Sequence, residues 1–261
     1  MRKIVRISFF LFCAIILAAA YAYPAGLTPQ TNPTYFVMSG NADLDGDGRP
    51  ESITLAPGGT FGEFILSVDG VKTVGMFDFD AADGFAVVDI STADAYREIA
   101  VHAPGPSDDD EYLVYSFDGA SLKEMGRLAR WPTFSGNGIV LVDNWMGFWL
   151  IKDKYVLDTS TRTLRHIPQD LYYVGVEGHA IKSFPVYRTR SGSEVIANTR
   201  PDSVFLVLAC DTSPTCLNAY GDADDYSCDW YLIKTVTGLV GWVRCETLMD
   251  YETVDGLTWA D

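Results

Sequence analysis

Asp43-Leu44-Asp45, followed by Glu51-Ser52-Ile53-Thr54-Leu55-Ala56-Pro57-Gly58, is echoed by Asp89-Ile90-Ser91, followed by Glu98-Ile99-Ala100-Val101-His102-Ala103-Pro104-Gly105. Next, Glu63-Phe64-Ile65-Leu66-Ser67-Val68-Asp69-Gly70 is echoed by Glu111-Tyr112-Leu113-Val114-Tyr115-Ser116-Phe117-Asp118-Gly119, so the offsets run from 46 to 49 residues. Each copy reads as a polar loop, a strand, a turn, a second strand and an Asp-Gly hairpin turn, where left-handed backbone is tolerated. Short alternating runs separated by Gly, Asp and Pro dominate the chain, and helical periodicity is almost absent, which predicts antiparallel sheet. A unit of this size cannot bury both faces of its sheet alone and must stack on its neighbours. A degenerate third copy runs from Gly138 to His166, where Tyr155-Val156-Leu157-Asp158 precedes another strand. The expected fold is all-β, and Trp145, Phe148 and Trp149 in the third unit read as core between units.

These units resemble the FG-GAP or VCBS-type repeats of integrin-like β-propellers, whose blades often begin with an Asp-rich calcium loop. The resemblance covers residues 35–135 closely and 136–175 loosely. Three units are too few for a closed ring, so a partial propeller-like stack of β-meanders is expected over 23–177.

Asp43, Asp45, Asp47 and Glu51 occupy positions 1, 3, 5 and 9 of a D-x-D-x-D-G-x-x-E loop. Like charges ~4 Å apart repel by ~1 kcal/mol per pair in water and several times that where the effective dielectric is lower. A hard divalent cation removes the repulsion, and Ca²⁺ accepts six to eight oxygens in irregular geometry. Gly48 permits the bend, and the Arg49 carbonyl stands where a backbone ligand is expected. An EF-hand would need a bidentate acid at position 12, which is Thr54, and a helix after it. The loop therefore resembles the calcium loop of FG-GAP blades and is expected to bind structural Ca²⁺. Its counterpart at Asp89 keeps only Asp94 and Glu98 as further acids, at different spacing, and reads as vestigial.

The chain's 261 residues carry 19 Lys plus Arg against 35 Asp plus Glu, a formal charge of −16. That balance opposes a nucleic-acid or anionic-membrane partner. Arg2, Lys3 and Arg6 precede the apolar run Ile7 to Ala20, and Ala20-Tyr21-Ala22 supplies small residues for cleavage, so 1–22 reads as an export signal. A secreted or periplasmic protein with no membrane attachment after cleavage is expected. Loss of the signal removes Cys13 and leaves Cys210, Cys216, Cys228 and Cys245, an even set that reads as two disulfides. The intervening gaps of 5, 11 and 16 residues fit no zinc pattern. Folding the last two strands so that Lys234 meets Leu239 sets Cys228 opposite Cys245, which favours Cys210–Cys216 with Cys228–Cys245. If Leu208 faces Trp230, Cys210 falls opposite Cys228 instead, so the pairing stays open.

From Gly178 the repeat disappears. Tyr187-Arg188-Thr189-Arg190-Ser191-Gly192, Trp230-Tyr231, Gly241-Trp242-Val243 and Leu248 follow one another in an order that resembles a bacterial SH3-like (SH3b) domain over residues 180–250. The resemblance implies a small barrel at 178–261 that binds a peptide, cell-wall or envelope protein segment, with Tyr187, Trp230 and Trp242 as candidate groove walls. The bland reading of these aromatics is barrel core. A long insertion, Asp211 to Ser227, carries Cys216 with Asp222, Asp224 and Asp225 and departs from the family pattern.

No catalytic residues are assigned. His102, His166 and His179 sit on separate segments, with no serine elbow, Cys-His spacing or H-E-x-x-H pattern near them. A non-enzymatic binding protein is the expectation, with a wall hydrolase or an accessory envelope protein as its rivals.

Overall fold

The computed structural model describes residues 26–106, 109–214, 216–217, 223–224 and 227–259. The expected signal segment, 1–22, lies outside them, as do Asp222 and Asp225. The described chain is strand-rich and all-β.

Three four-stranded antiparallel meanders come first. One contains β1 (Ser39–Ala42), β2 (Glu51–Pro57), β3 (Glu63–Val68) and β4 (Val71–Met76). The second contains β5 (Gly84–Val88), β6 (Glu98–Ala103), β7 (Glu111–Phe117) and β8 (Leu122–Ala129). The third contains β9 (Trp131–Phe134), β10 (Ile139–Trp145), β11 (Leu150–Asp158) and β12 (Thr163–His166). In the first, Val68 pairs with Val71 around Asp69-Gly70, both at positive φ, which is the two-residue turn the sequence anticipates.

Alternation explains how the meanders stack. In the middle sheet β6 is buried throughout and β7 nearly so. Ile99, Val101, Leu113 and Tyr115 point into a core shared with Ile53, Leu55, Phe64 and Leu66 of the first sheet. Their neighbours Ala100, Tyr112 and Val114 point the other way, into a core shared with Phe134, Val140, Val142 and Leu157 of the third. Each large side chain so buried contributes roughly 1.5–3 kcal/mol. On β2 the outward positions Ser52, Thr54 and Ala56 are exposed, as are Val74 and Met76 on β4, so the outer face of the first sheet mixes polar and apolar side chains.

A strap before β1 ties the three sheets together along their first strands. Leu27 N–H donates to Asn41 O at 2.6 Å, Gln30 N–H to Val87 O at 2.8 Å, and Phe134 N–H to Thr31 O at 2.8 Å. Val37 and Phe85 exchange two further backbone bonds. The strap thereby satisfies strand edges that would otherwise lie open.

After the third sheet come β13 (Tyr172–Ala180), β14 (Pro185–Tyr187), β15 (Val195–Asn198) and β16 (Ser203–Asp211). Two short pieces, β17 (Cys216–Leu217) and β18 (Ala223–Asp224), pair with each other. The chain continues with β19 (Trp230–Thr235), β20 (Val240–Arg244), α1 (Cys245–Leu248) and β21 (Val254–Asp255). Seven of these strands form one sheet in the order β15-β14-β20-β19-β16-β13-β21. No sheet among the described residues closes into a barrel, which corrects the expected small barrel. Tyr172–Ala180 pairs along most of β16, so the strand before Phe184 belongs to this sheet and extends it. Phe148 and Trp149, in the turn between β10 and β11, insert into its core beside Tyr231, and Trp149 Nε1–H donates to Tyr231 Oη at 3.2 Å.

Two registers differ from the sequence reading. Lys234 pairs with Val240, one residue beyond Leu239, because the loop Thr235–Leu239 closes with Thr235 N–H on Leu239 O and Gly238 N–H on Thr235 O. The pairing of β16 with β19 shifts between Val207 and Ala209, and Asp211 faces Trp230. The disulfide also differs from the sequence reading. Cys216 bonds Cys228, with Cα atoms 6.0 Å apart, so the favoured Cys210–Cys216 and Cys228–Cys245 pairing is overturned. Cys210 and Cys245 are both buried in the core, outside this bridge.

Candidate functional site

Two places gather chemistry: the loop between β1 and β2, and the outer face of the seven-stranded sheet around Tyr187.

In the loop, one carboxylate oxygen each from Asp43, Asp45, Asp47 and Glu51 can be chosen so that all lie within 4.8 Å of one another. The loop is folded by its own acids. Asp43 Oδ1 accepts the Gly46 N–H at 2.9 Å, Asp45 Oδ1 that of Asp47 at 3.0 Å, and Asp47 Oδ1 that of Arg49 at 2.7 Å. Glu51 is buried, and its Oε2 accepts the Leu44 N–H at 2.6 Å. Gly46 and Gly48 both adopt positive φ, and a side chain at Gly46 would run into Ala95 of the second sheet's loop. Burial pushes the Glu51 carboxyl up, the Leu44 amide opposes this, and repulsion from Asp45 and Asp43 adds to it. This cluster could hold a metal ion. The Arg49 carbonyl, the fifth expected ligand, is carried by the same turn.

The loop also touches the next sheet. Arg97 N–H donates to Leu44 O at 2.9 Å, and a Cβ at Gly119, in the β7–β8 turn, would stand 2.8 Å from Asp45 Oδ2. Its counterpart between β5 and β6 is built alike but faces an arginine. Glu98, 1% exposed, accepts the Ile90 N–H through Oε2 at 3.0 Å, as Glu51 accepts that of Leu44. Arg162, from the β11–β12 turn of the third sheet, reaches Glu98 Oε1 at 2.9 Å and lies 3.8 Å from Asp94. Its guanidinium also stacks 4.1 Å from the Tyr96 ring centroid. An internal cation thus stands at the second loop. Arg162 carries no spacing signal that would have picked it out from sequence.

On the outer face, Tyr187 pairs with Trp242 across β14 and β20, and Trp230 faces Arg244 across β19 and β20. Side chains alternate across the sheet, so these lie opposite the core residues Val186, Tyr231, Ile233 and Val243. None of the three aromatics belongs to that core, although Trp230 is itself buried. The Tyr187 ring meets Trp230 edge-on, 6.0 Å between centroids. Arg244 stacks on Trp230 at 5.0 Å, and Arg190 on Trp242 at 5.4 Å while pairing with the buried Asp211. The loop after β14 closes over this group: a Cβ at Gly192 would sit 3.3 Å from the Trp230 ring. A cleft of about 370 Å³ is lined by Pro214, Cys216, Ser227, Cys228, Trp230, Arg244 and Glu246. A second, of about 300 Å³, is lined by Asp170, Leu171, Arg190, Ser213 and Trp242. Arg190 and Arg244 stand within or beside the quoted motifs, yet their stacking depends on register and was not legible.

The histidines are placed apart in structural roles. His102 is buried, stacked on Phe36 at 4.0 Å, with Nδ1 2.7 Å from Asp83 and Nε2 3.3 Å from Asp110. His166 pairs with Asp153 at 3.0 Å on the exposed strand β12, and His179 faces Val204 and Asp255 in the sheet. Burial, reinforced by the neighbouring Asp229 carboxylate, pushes the Cys210 thiol up, so it stays protonated.

Compared with protein-family models, curated proteins and solved structures, the chain matches none of them.

Proposed function

We propose that this is an exported, non-enzymatic binding protein, in which a calcium-braced stack of β-meanders carries a C-terminal module that recognises a peptide or cell-wall segment. The observation that carries the reading is the convergence of Tyr187, Trp230 and Trp242 on the face opposite the core, beside two clefts. Aromatic walls give large contact area at little conformational cost, which is how recognition surfaces concentrate binding energy. The acidic loop supports a structural role for Ca²⁺, because its oxygens are hard, irregularly placed and shared with a turn that docks on the next sheet. The Cys216–Cys228 bridge is compatible with an oxidising, extracytoplasmic setting. Among the described residues no helix is long and apolar enough to cross a membrane.

Sedimentation with purified peptidoglycan tests the reading. Binding that is weakened about tenfold or more by Tyr187→Ala or Trp242→Ala is the expected result. Release of soluble fragments from the same material would instead make the protein a hydrolase, and indifference of binding to both substitutions would remove the aromatic site.

A further inference from the structure

We propose that the larger cleft is a carboxylate-recognition site in which Arg244 is the specificity-determining residue. This inference rests on the binding function proposed above and specifies the chemistry of its ligand.

The argument starts from charge. The chain carries a formal −16, so an exposed arginine lining a cleft is a local exception to the field around it. Arg190, beside the smaller cleft, is already matched by the buried Asp211. Arg244 is not matched in this way. Among the described residues, the carboxylate within ion-pair distance of its guanidinium is Glu246, at 3.9 Å, with both side chains half or more exposed. That separation is far longer than the ~2.7–2.9 Å of a charge-assisted hydrogen bond, so little of the guanidinium's donor capacity is used there.

Geometry then fixes the cation in place. The Arg244 guanidinium lies 5.0 Å from the Trp230 ring centroid, Tyr187 meets the same ring edge-on, and Gly192 approaches both Trp230 and Arg244. A guanidinium placed over an aromatic face can still donate N–H groups to a further partner, and a carboxylate matches its fork bidentately. Stacking before ligand arrives also removes part of the rotamer entropy that a free arginine would lose on binding. Trp230 offers an apolar wall next to the charge, and the Cys216–Cys228 bridge lines the same cleft. The ligand so described is a segment with an isolated carboxylate next to an apolar or amide group. A polyanion fits poorly, because the protein's own charge repels it at longer range.

The test uses purified peptidoglycan in two forms, native and with its carboxylates converted to amides by carbodiimide and methylamine. Both are sedimented with the full exported chain and with its Arg244→Met and Arg244→Lys variants. The expected result is at least tenfold weaker binding of the amidated form to the unaltered protein. Arg244→Met is expected to bind both forms with that same reduced affinity, and Arg244→Lys to recover part of the preference. Binding of the native form should also weaken as salt is raised from 50 to 500 mM, on the order of severalfold. Equal binding of both forms that still depends on Tyr187 and Trp242 would overturn the carboxylate assignment and leave the binding function standing. Failure of the unaltered protein to bind either form would remove the wall-binding function and this inference with it. Thermal unfolding of each variant separates loss of the site from loss of the fold, and the amidated ligand gives the same answer with no substitution at all.

Discussion

The Arg162 guanidinium lies 2.9 Å from the Glu98 carboxylate, joining the β11–β12 turn of the third sheet to the first residue of β6 in the second. Glu98 is 1% exposed, and burial pushes its carboxyl up to about 7 although the Ile90 amide and Arg162 both pull it down. A carboxyl raised in the folded state binds a proton there at pH values where the unfolded chain has lost it, so stability falls as pH rises from about 4.5 towards 7. Substituting Arg162→Met removes the partner and leaves a buried charge, which destabilises by about 3–5 kcal/mol when Glu98 is ionised. The loss should be clearly smaller at pH 5 than at pH 8, because a protonated Glu98 needs no counter-charge. Denaturant unfolding of both proteins at the two pH values measures this, and an equal loss at both would show that the pair is incidental.

Calcium should act on the first loop alone. Millimolar Ca²⁺ is expected to raise the unfolding temperature, and a chelator to reverse the rise. At a concentration near a hundred times Kd the gain is about 2.7 kcal/mol. Changing Asp45 and Asp47 together to Ala should abolish the shift. The effect should also fade on acidification sooner than ordinary carboxylates predict, because Glu51 is raised by burial and by Asp45 and Asp43. A double variant that still shifts like the parent would place the ion elsewhere.

The Cys216–Cys228 bridge closes a loop with a sequence separation of 12. Loop-closure entropy gives such a bridge about 3 kcal/mol, so Cys216→Ser should lower stability by roughly that amount. Non-reducing digestion and mass analysis should recover one cystine peptide joining residues 216 and 228. A peptide joining Cys210 to Cys216 would contradict the structure directly.

Trp149 links the third sheet to the fourth through its contact with Tyr231. Truncation of this buried indole to Ala should destabilise by about 3–5 kcal/mol. Tyr231→Phe removes only the hydroxyl that accepts the indole N–H and should cost about 1 kcal/mol. Similar losses from the two substitutions would mean that the hydrogen bond, more than the packing, holds the junction.

The alternation of Ile53, Leu55, Ile99 and Val101 made the first two sheets readable from sequence, since each apolar set had one period and a turn residue at its end. The acidic loop was readable for a similar reason: its four acids are local, and short spacing brings them together. What was not readable depends on single-residue events. The loop after Lys234 is one residue longer than the simplest fold-back, and the β16 register shifts around Leu208. Either slip moves every side chain to the opposite partner, and with it the expected sulfur pairing. The open seven-stranded sheet was hidden because β13 pairs with β16, more than twenty residues away, with no motif to announce it. Arg162 was hidden similarly, as its partner Glu98 is 64 residues distant.

The strap that precedes β1 sets an order of events. Thr31 receives its hydrogen bond from Phe134, and Asn32 from Thr133, 101 residues further along. During synthesis the strap can therefore seat on the first two meanders through Asn41, Val87 and Phe85, but its bonds to the third wait until residues 133 and 134 have emerged. Contacts of such long sequence separation slow folding, so the strap is completed only once about half of the chain is in place.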